Sequence, residues 1–180
     1  VSIGCGPSVL ALDLSLTRTG WCDAFGVTGV IDTAKLRGVE RMDHIIRQVQ
    51  SLASGADLVV REGYSFGSQG RSVFDIGELG GAVRLLLYRL GIPLVEIPPS
   101  SLKKFATGKG NSNKDAMISA AIRRFGFGGS DNNEADAYIL WCMAMHALDA
   151  RPLRLPAAHL AALDKVVWPT AHPTGAEPPE

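Results

Sequence analysis

The chain has 180 residues, 46% apolar and 20% charged, with equal numbers of acidic and basic side chains and a formal net charge of zero. That supports one domain with a sizeable core and excludes a disordered or fibrous protein. No apolar run reaches the roughly 20 residues that cross a bilayer, no basic-then-apolar leader opens the chain, and the three cysteines lack metal-ligand spacing. Free thiols without a membrane segment predict a cytoplasmic protein.

Residues 8–14, "SVLALDL", read as a strand apolar on both faces, hence central in a sheet, and they carry one carboxylate, Asp13. "GWCDAFGVTGVIDTA" gives two short strand-like runs broken between Gly26 and Gly29, the signature of a hairpin. In "GVERMDHIIRQVQSLASG", Val39, Met42, Ile45, Ile46, Val49 and Leu52 recur at helical spacing, and the helix ends near Gly55. "ADLVVREGY" is a second buried strand, and it also ends on a carboxylate, Glu62. A helix follows in "GRSVFDIGELGGAVRLLLYRLG", with Ile76, Leu79, Val83 and Leu87 on one face. Gly77 and Gly81, four apart, permit close packing on the sheet or on a second subunit.

"IPLVEIPP" is a strand stopped by two prolines, and "SSLKKFATG" is a short connecting segment. "NKDAMISAAIRRFG" and "EADAYILWCMAMHALDA" are two further helices, the last rich in apolar residues and well buried. This order predicts an α/β fold, a mixed five-stranded sheet flanked by helices, over residues 1–150. Residues 151–180 hold six of the ten prolines and are expected to form a tail, docked in part and finally disordered.

Asp13 and Glu62 both stand at the C-terminal end of a buried strand, the sheet edge where α/β proteins bind ligands. Two carboxylates brought together repel, so the arrangement needs raised pKa values or a cation. An all-oxygen donor set suits Mg²⁺ or Mn²⁺. Asp136, in the first turns of the last helix, is the third contributor, with Asn133 one turn earlier on the same side. Asp131 and Glu134 point elsewhere and fit a capping box. From Arg84 to Arg124 eight Lys or Arg stand against Glu96 and Asp115, a net +6 that suits a polyanion beside an acidic cluster. "TGKGNSNK" lacks the spacing of a phosphate-binding P-loop, so no nucleotide cofactor is expected.

"VLALDLSLTRTGW", "LVVREGY", "GELGGAVRLLLYRLGIPLVEIPPSSLKKFATGKGNSNKDAMISAAI" and "NEADAYILWCMA" together resemble the RuvC-type Holliday-junction resolvases, in particular the compact branch of actinobacterial phages. The resemblance spans roughly residues 8–149, in order and at family-like spacing. It implies a ribonuclease H-like fold, a homodimer, and Mg²⁺-dependent cutting of four-way DNA junctions at two symmetric points; the helix from Ser72 to Leu90 is the best candidate for the dimer interface. By position it assigns Asp13, Glu62 and Asp136 to the catalytic carboxylates and two metal ions, with Lys103 and Lys114 on the rim of the site. The family usually has Asp or His where this chain has Asn133, which brings an oxygen but no charge; Asp131 is the alternative fourth ligand. Tyr64 and Phe66 flank the place of a base-stacking aromatic, and Arg71, Lys104 and Lys109 are expected phosphate contacts. Cutting of flaps or forks, and junction binding without cutting, stay open as rival activities.

Overall fold

The middle strand of a five-stranded sheet is β1 (Val9–Asp13), in a computed structural model that describes residues 6–64 and 71–169. β2 (Arg18–Cys22) and β3 (Thr28–Asp32) follow it antiparallel, while β4 (Leu58–Glu62) and β5 (Leu94–Ile97) lie parallel to it on the other side, giving the order β3-β2-β1-β4-β5. The hairpin between β2 and β3 closes on Asp23, whose Oδ1 accepts from the backbone N–H of Phe25 and of Val27, both at 2.9 Å. The five strands flanked by helices are those the sequence pattern predicts.

Side chains alternate across the sheet, and two cores result. Leu10, Leu12 and Val59 face α1 (Gly38–Leu52) and α2 (Arg71–Arg89), where Ile45, Val49, Leu79, Val83 and Leu87 close the layer. Val9, Ala11, Leu58, Val60, Val95 and Ile97 face the opposite layer. Each such buried aliphatic side chain contributes roughly 1.5–3 kcal/mol relative to exposure. The second layer is built on α5 (Asn132–Ala147), which lies over β1 and β2. Every residue of α5 from Ala137 to Ala144 is buried, because helices cover its far side and it therefore needs no polar face.

Those covering helices are α3 (Pro99–Thr107) and α4 (Lys114–Ala120). α3 corrects the reading of "SSLKKFATG" as a connecting segment. Its nine residues are too few for a period to show, yet Pro99 opens the helix where its missing N–H costs nothing. Gly108 ends it with φ +84. α4 runs on into a π-helical turn, Ala121–Phe125, closed by Gly126.

After α5 the chain returns to this layer through α6 (Ala157–Leu160) and a 3₁₀ turn, Leu163–Lys165. His159, Ala162 and Val166 are buried there, the last two within the core. Cys22 and Cys142 are buried free thiols.

Candidate active site

The register of β1 against β4 pairs Leu12 with Arg61, so one step further Asp13 lies beside Glu62. Asp13 shares its face with Val9 and Ala11, and Glu62 with Leu58 and Val60, so both carboxylates emerge on the α5 side. On its other edge Asp13 pairs with Gly20 of β2. A β-carbon on Gly20 would overlap the backbone carbonyl of Asn133. The first turn of α5 therefore rests directly on the β2 backbone next to Asp13, and Asp136 follows one turn later. The structure thus brings Asp13, Glu62, Asn133 and Asp136 to one edge of the sheet.

The electrostatics express this crowding. Burial, and then repulsion from Glu62 and Asp136, hold the Asp13 carboxyl well above its ordinary range. Burial and the Asp136 charge push Glu62 up to about 7, against the opposing pull of Lys103 on α3. Asp136 is pushed up to about 6 by burial, opposed by Lys114 at the start of α4 and by Lys103. The helix that begins at Lys114 is capped by Asn113, whose side chain accepts from the Ala116 N–H at 2.9 Å. Both lysines that the resemblance assigns to the rim are therefore near enough for their charge to act on the carboxylates.

Asp136 Oδ1 is shielded from water and has no hydrogen-bond partner. An orphaned carboxylate oxygen beside two crowded carboxyls costs free energy, and a divalent cation would relieve that cost. The donor set, carboxylates with the Asn133 amide nearby, fits Mg²⁺ or Mn²⁺. Among the described residues, however, no three His, Cys, Asp or Glu side chains are drawn into a closed ligand cage.

Asp131 is engaged elsewhere. Its Oδ1 accepts from the N–H of Asn133 at 2.8 Å and of Glu134 at 3.3 Å, and its Oδ2 accepts from Arg18 Nη2 at 2.7 Å. Burial tends to raise this carboxyl, but the Arg18 contact and the two backbone donors hold it below the usual range. Both oxygens accept hydrogen bonds, so the structure shows Asp131 as the cap of α5, the other role the sequence offers it. Glu134 does not complete a reciprocal capping box, since its carboxylate accepts from the Thr28 hydroxyl at 2.7 Å.

Tyr64 is half turned inward. Its hydroxyl donates to the Gly77 carbonyl at 3.3 Å, and its ring lies under the guanidinium of Arg61, 4.7 Å away. Arg61 is fully buried on the α2 side of the sheet and pairs with Glu96, which also accepts from Arg84 at 2.6 Å. The glycine that admits Tyr64 is Gly80, where a β-carbon would strike the phenol; Gly77 and Gly81 have open space instead. Of the two alternatives for Gly77 and Gly81, packing on the sheet is thus corrected: on that side the close approach is made by Gly80. Phe66 lies outside the described residues, as does the side chain of Arg71 at the start of α2. Lys104 is half-buried on α3 and Lys109 is exposed in the loop after it.

Gly20 is the residue that sequence reading missed. "TRTGW" held its only signal, a glycine inside a strand, which often marks a close backbone approach.

No family model matches the chain. It is 30% identical over 134 residues to the crossover junction endodeoxyribonuclease RuvC of Anaeromyxobacter dehalogenans (strain 2CP-C), across 73% of this chain and 70% of that protein. It is 29% identical over 133 residues to the RuvC of Synechococcus sp. (strain WH7803), across 64% of this chain and 81% of that one. Among solved structures it resembles Thermus thermophilus RuvC, with a TM-score of 0.64 and 20% identity over 80% of this chain and 95% of the other. The same protein in complex with a Holliday junction substrate matches with a TM-score of 0.64, covering 81% of this chain.

Proposed function

The chain belongs to the RuvC family of crossover junction endodeoxyribonucleases, and from that premise we propose that it resolves four-way DNA junctions by divalent-metal-dependent hydrolysis at two symmetric points. The observation that carries the reading is the meeting of Asp13, Glu62 and Asp136 at one sheet edge, within reach of the Lys103 and Lys114 charges.

Asp13, Glu62 and Asp136, with the Asn133 amide oxygen, would hold the two Mg²⁺ or Mn²⁺ ions that this chemistry calls for. Such ions supply a nucleophilic water at neutral pH and Lewis-acid relief of charge on the phosphate. The chain's own part is positioning. Asp13 stands on the middle strand between Glu62 and Gly20, and the charges of both Glu62 and Asp136 act on it. Lys114 and Lys103 draw the scissile phosphate toward the carboxylates and offset the negative charge that grows on its oxygens as water attacks phosphorus. The P–O3′ bond breaks, leaving a 5′-phosphate and a 3′-hydroxyl.

Paired cuts need two sites at a fixed separation, which a homodimer provides. The outer face of α2 supports this: Phe74, Leu85 and Tyr88 are exposed, and Gly77 and Gly81 leave open space between them. An apolar stripe of this kind, with room for close approach, suits a second copy of the same helix. Leu85→Glu should then yield a monomer that nicks one strand where the parent cuts two.

The test is a panel of labelled four-way junction, fork, flap and linear duplex, each with Mg²⁺ or with EDTA. The reading predicts paired cuts in opposite strands of the junction, abolished by EDTA. Equal cutting of forks or flaps, or junction binding with no cutting in either Mg²⁺ or Mn²⁺, would overturn it.

A further inference from the structure

Arg123 and Arg124 stand in the π-helical turn that follows α4, and among the described residues neither is paired with a carboxylate. Both line an open groove of about 430 Å³ between α3 and α4, together with Thr107, Ala116 and Ser119. Among the described residues no acidic side chain lines it. Ala106 and Thr107, which line it, stand one turn along α3 from Lys103.

The π-helical turn widens the helix by one residue per turn, and such insertions cluster at functional positions. The second feature comes from the C-terminal segment. His159 is buried against the end of α3, where its Nδ1 donates to the Phe105 carbonyl at 2.7 Å. That leaves Nε2 as an acceptor, and it receives Arg124 Nη1 at 3.4 Å. A β-carbon on Gly108 would press on the same ring nitrogen, so the end of α3 is shaped to admit this histidine. The imidazole therefore ties one guanidinium to the groove wall.

We infer that the α3–α4 groove is a second DNA-backbone site, in which Arg123 and Arg124 grip phosphates of the junction arm beyond the cut and His159 positions Arg124. The inference rests on the reading of the chain as a junction nuclease. Its charge and shape suit that occupant: two unopposed guanidiniums match phosphodiester oxygens, and an open groove lined by small residues suits a passing backbone rather than an enclosed ligand. Lys114 and Arg124 are ten residues apart on nearly continuous helix, roughly 15 Å. At 3.4 Å per base pair that spans about four base pairs, so one arm reaches both.

The test is binding of a labelled four-way junction by fluorescence anisotropy in EDTA, over a series of salt concentrations. Arg123→Ala/Arg124→Ala should weaken binding roughly tenfold and reduce the slope of log affinity against log salt by about two, one per lost phosphate contact. Arg47→Ala, on α1 at the opposite face and already paired with Asp43, controls for net charge and should leave the slope unchanged. His159→Ala should weaken binding in the parent and add nothing once Arg124 is alanine, which a general loss of fold would not do. Should His159→Ala fail to fold, the double arginine variant still decides the groove. An unchanged slope in that variant, in a chain that cuts junctions, overturns the inference and spares the nuclease reading. A parent chain that binds no DNA overturns both.

Discussion

The backbone carbonyl of Asn133 fills the space that a β-carbon at Gly20 would need, and Gly20 is the residue paired with Asp13 across the β1–β2 ladder. One missing side chain thus sets how near the first turn of α5, and with it Asp136, comes to the sheet. The overlap is with backbone, so no rotamer change relieves it.

Gly20→Ala should therefore move the start of α5 away from β2 while leaving the two cores intact. The expected outcome is a folded protein whose junction-cleavage rate falls roughly a hundredfold, about 2.7 kcal/mol of barrier. Circular dichroism and single-turnover cleavage check it. Cleavage at the parent rate in a folded Gly20→Ala protein would mean that the close approach does not position Asp136.

The crowded carboxyls make the metal-free protein sensitive to pH in a stated direction. Asp13, Glu62 and Asp136 all titrate above their ordinary values of 3.8, 4.5 and 3.8, Glu62 at about 7 and Asp136 at about 6. The native state then holds protons that the unfolded chain has released, so their contribution is full below about pH 4 and lost as pH rises through 6 and 7. Melting temperatures in EDTA should fall over that range. Mn²⁺ should raise them strongly at pH 8 and little at pH 5, since bound ions replace the protons. A metal response equal at both pH values would contradict the cluster.

Asp131 separates capping from ligation. Asp131→Ala removes two backbone hydrogen bonds and the contact with Arg18, and should cost about 1–2 kcal/mol of stability, as lost helix caps do. Junction cleavage under conditions where the variant is folded should stay within about threefold of the parent, under 1 kcal/mol of barrier. A loss well beyond tenfold with unchanged melting would return Asp131 to the ligand set.

Much of this was legible because it depends on local pattern. Asp13 and Glu62 each end a run of buried apolar residues, and parallel pairing of two such strands places them together without further information. Asp136 was marked by its place at the start of an apolar helix. What escaped depends on contacts between distant segments. Gly20 meets Asn133 across 113 positions of chain, and nothing near Gly20 names its partner. Gly77 and Gly81 are spaced for close packing, yet Gly80 makes the approach, because the direction of α2 toward Tyr64 is set by the sheet. Asp131 offered two roles of equal local merit, and only the position of Arg18 on β2 separates them. His159 sits in a proline-rich stretch without periodicity, so its seat at the end of α3 left no signature in the pattern.

The central claim is that Asp13, Glu62 and Asp136 form one metal-dependent hydrolytic centre. Its most direct test is the single-turnover rate of strand cleavage in a preformed four-way junction, with Mg²⁺, for the parent and Asp13→Asn. The account predicts that Asp13→Asn stays folded and binds the junction but cuts roughly a thousandfold more slowly or worse, about 4 kcal/mol of barrier. An Asp13→Asn protein that cuts at a rate near the parent's would contradict it.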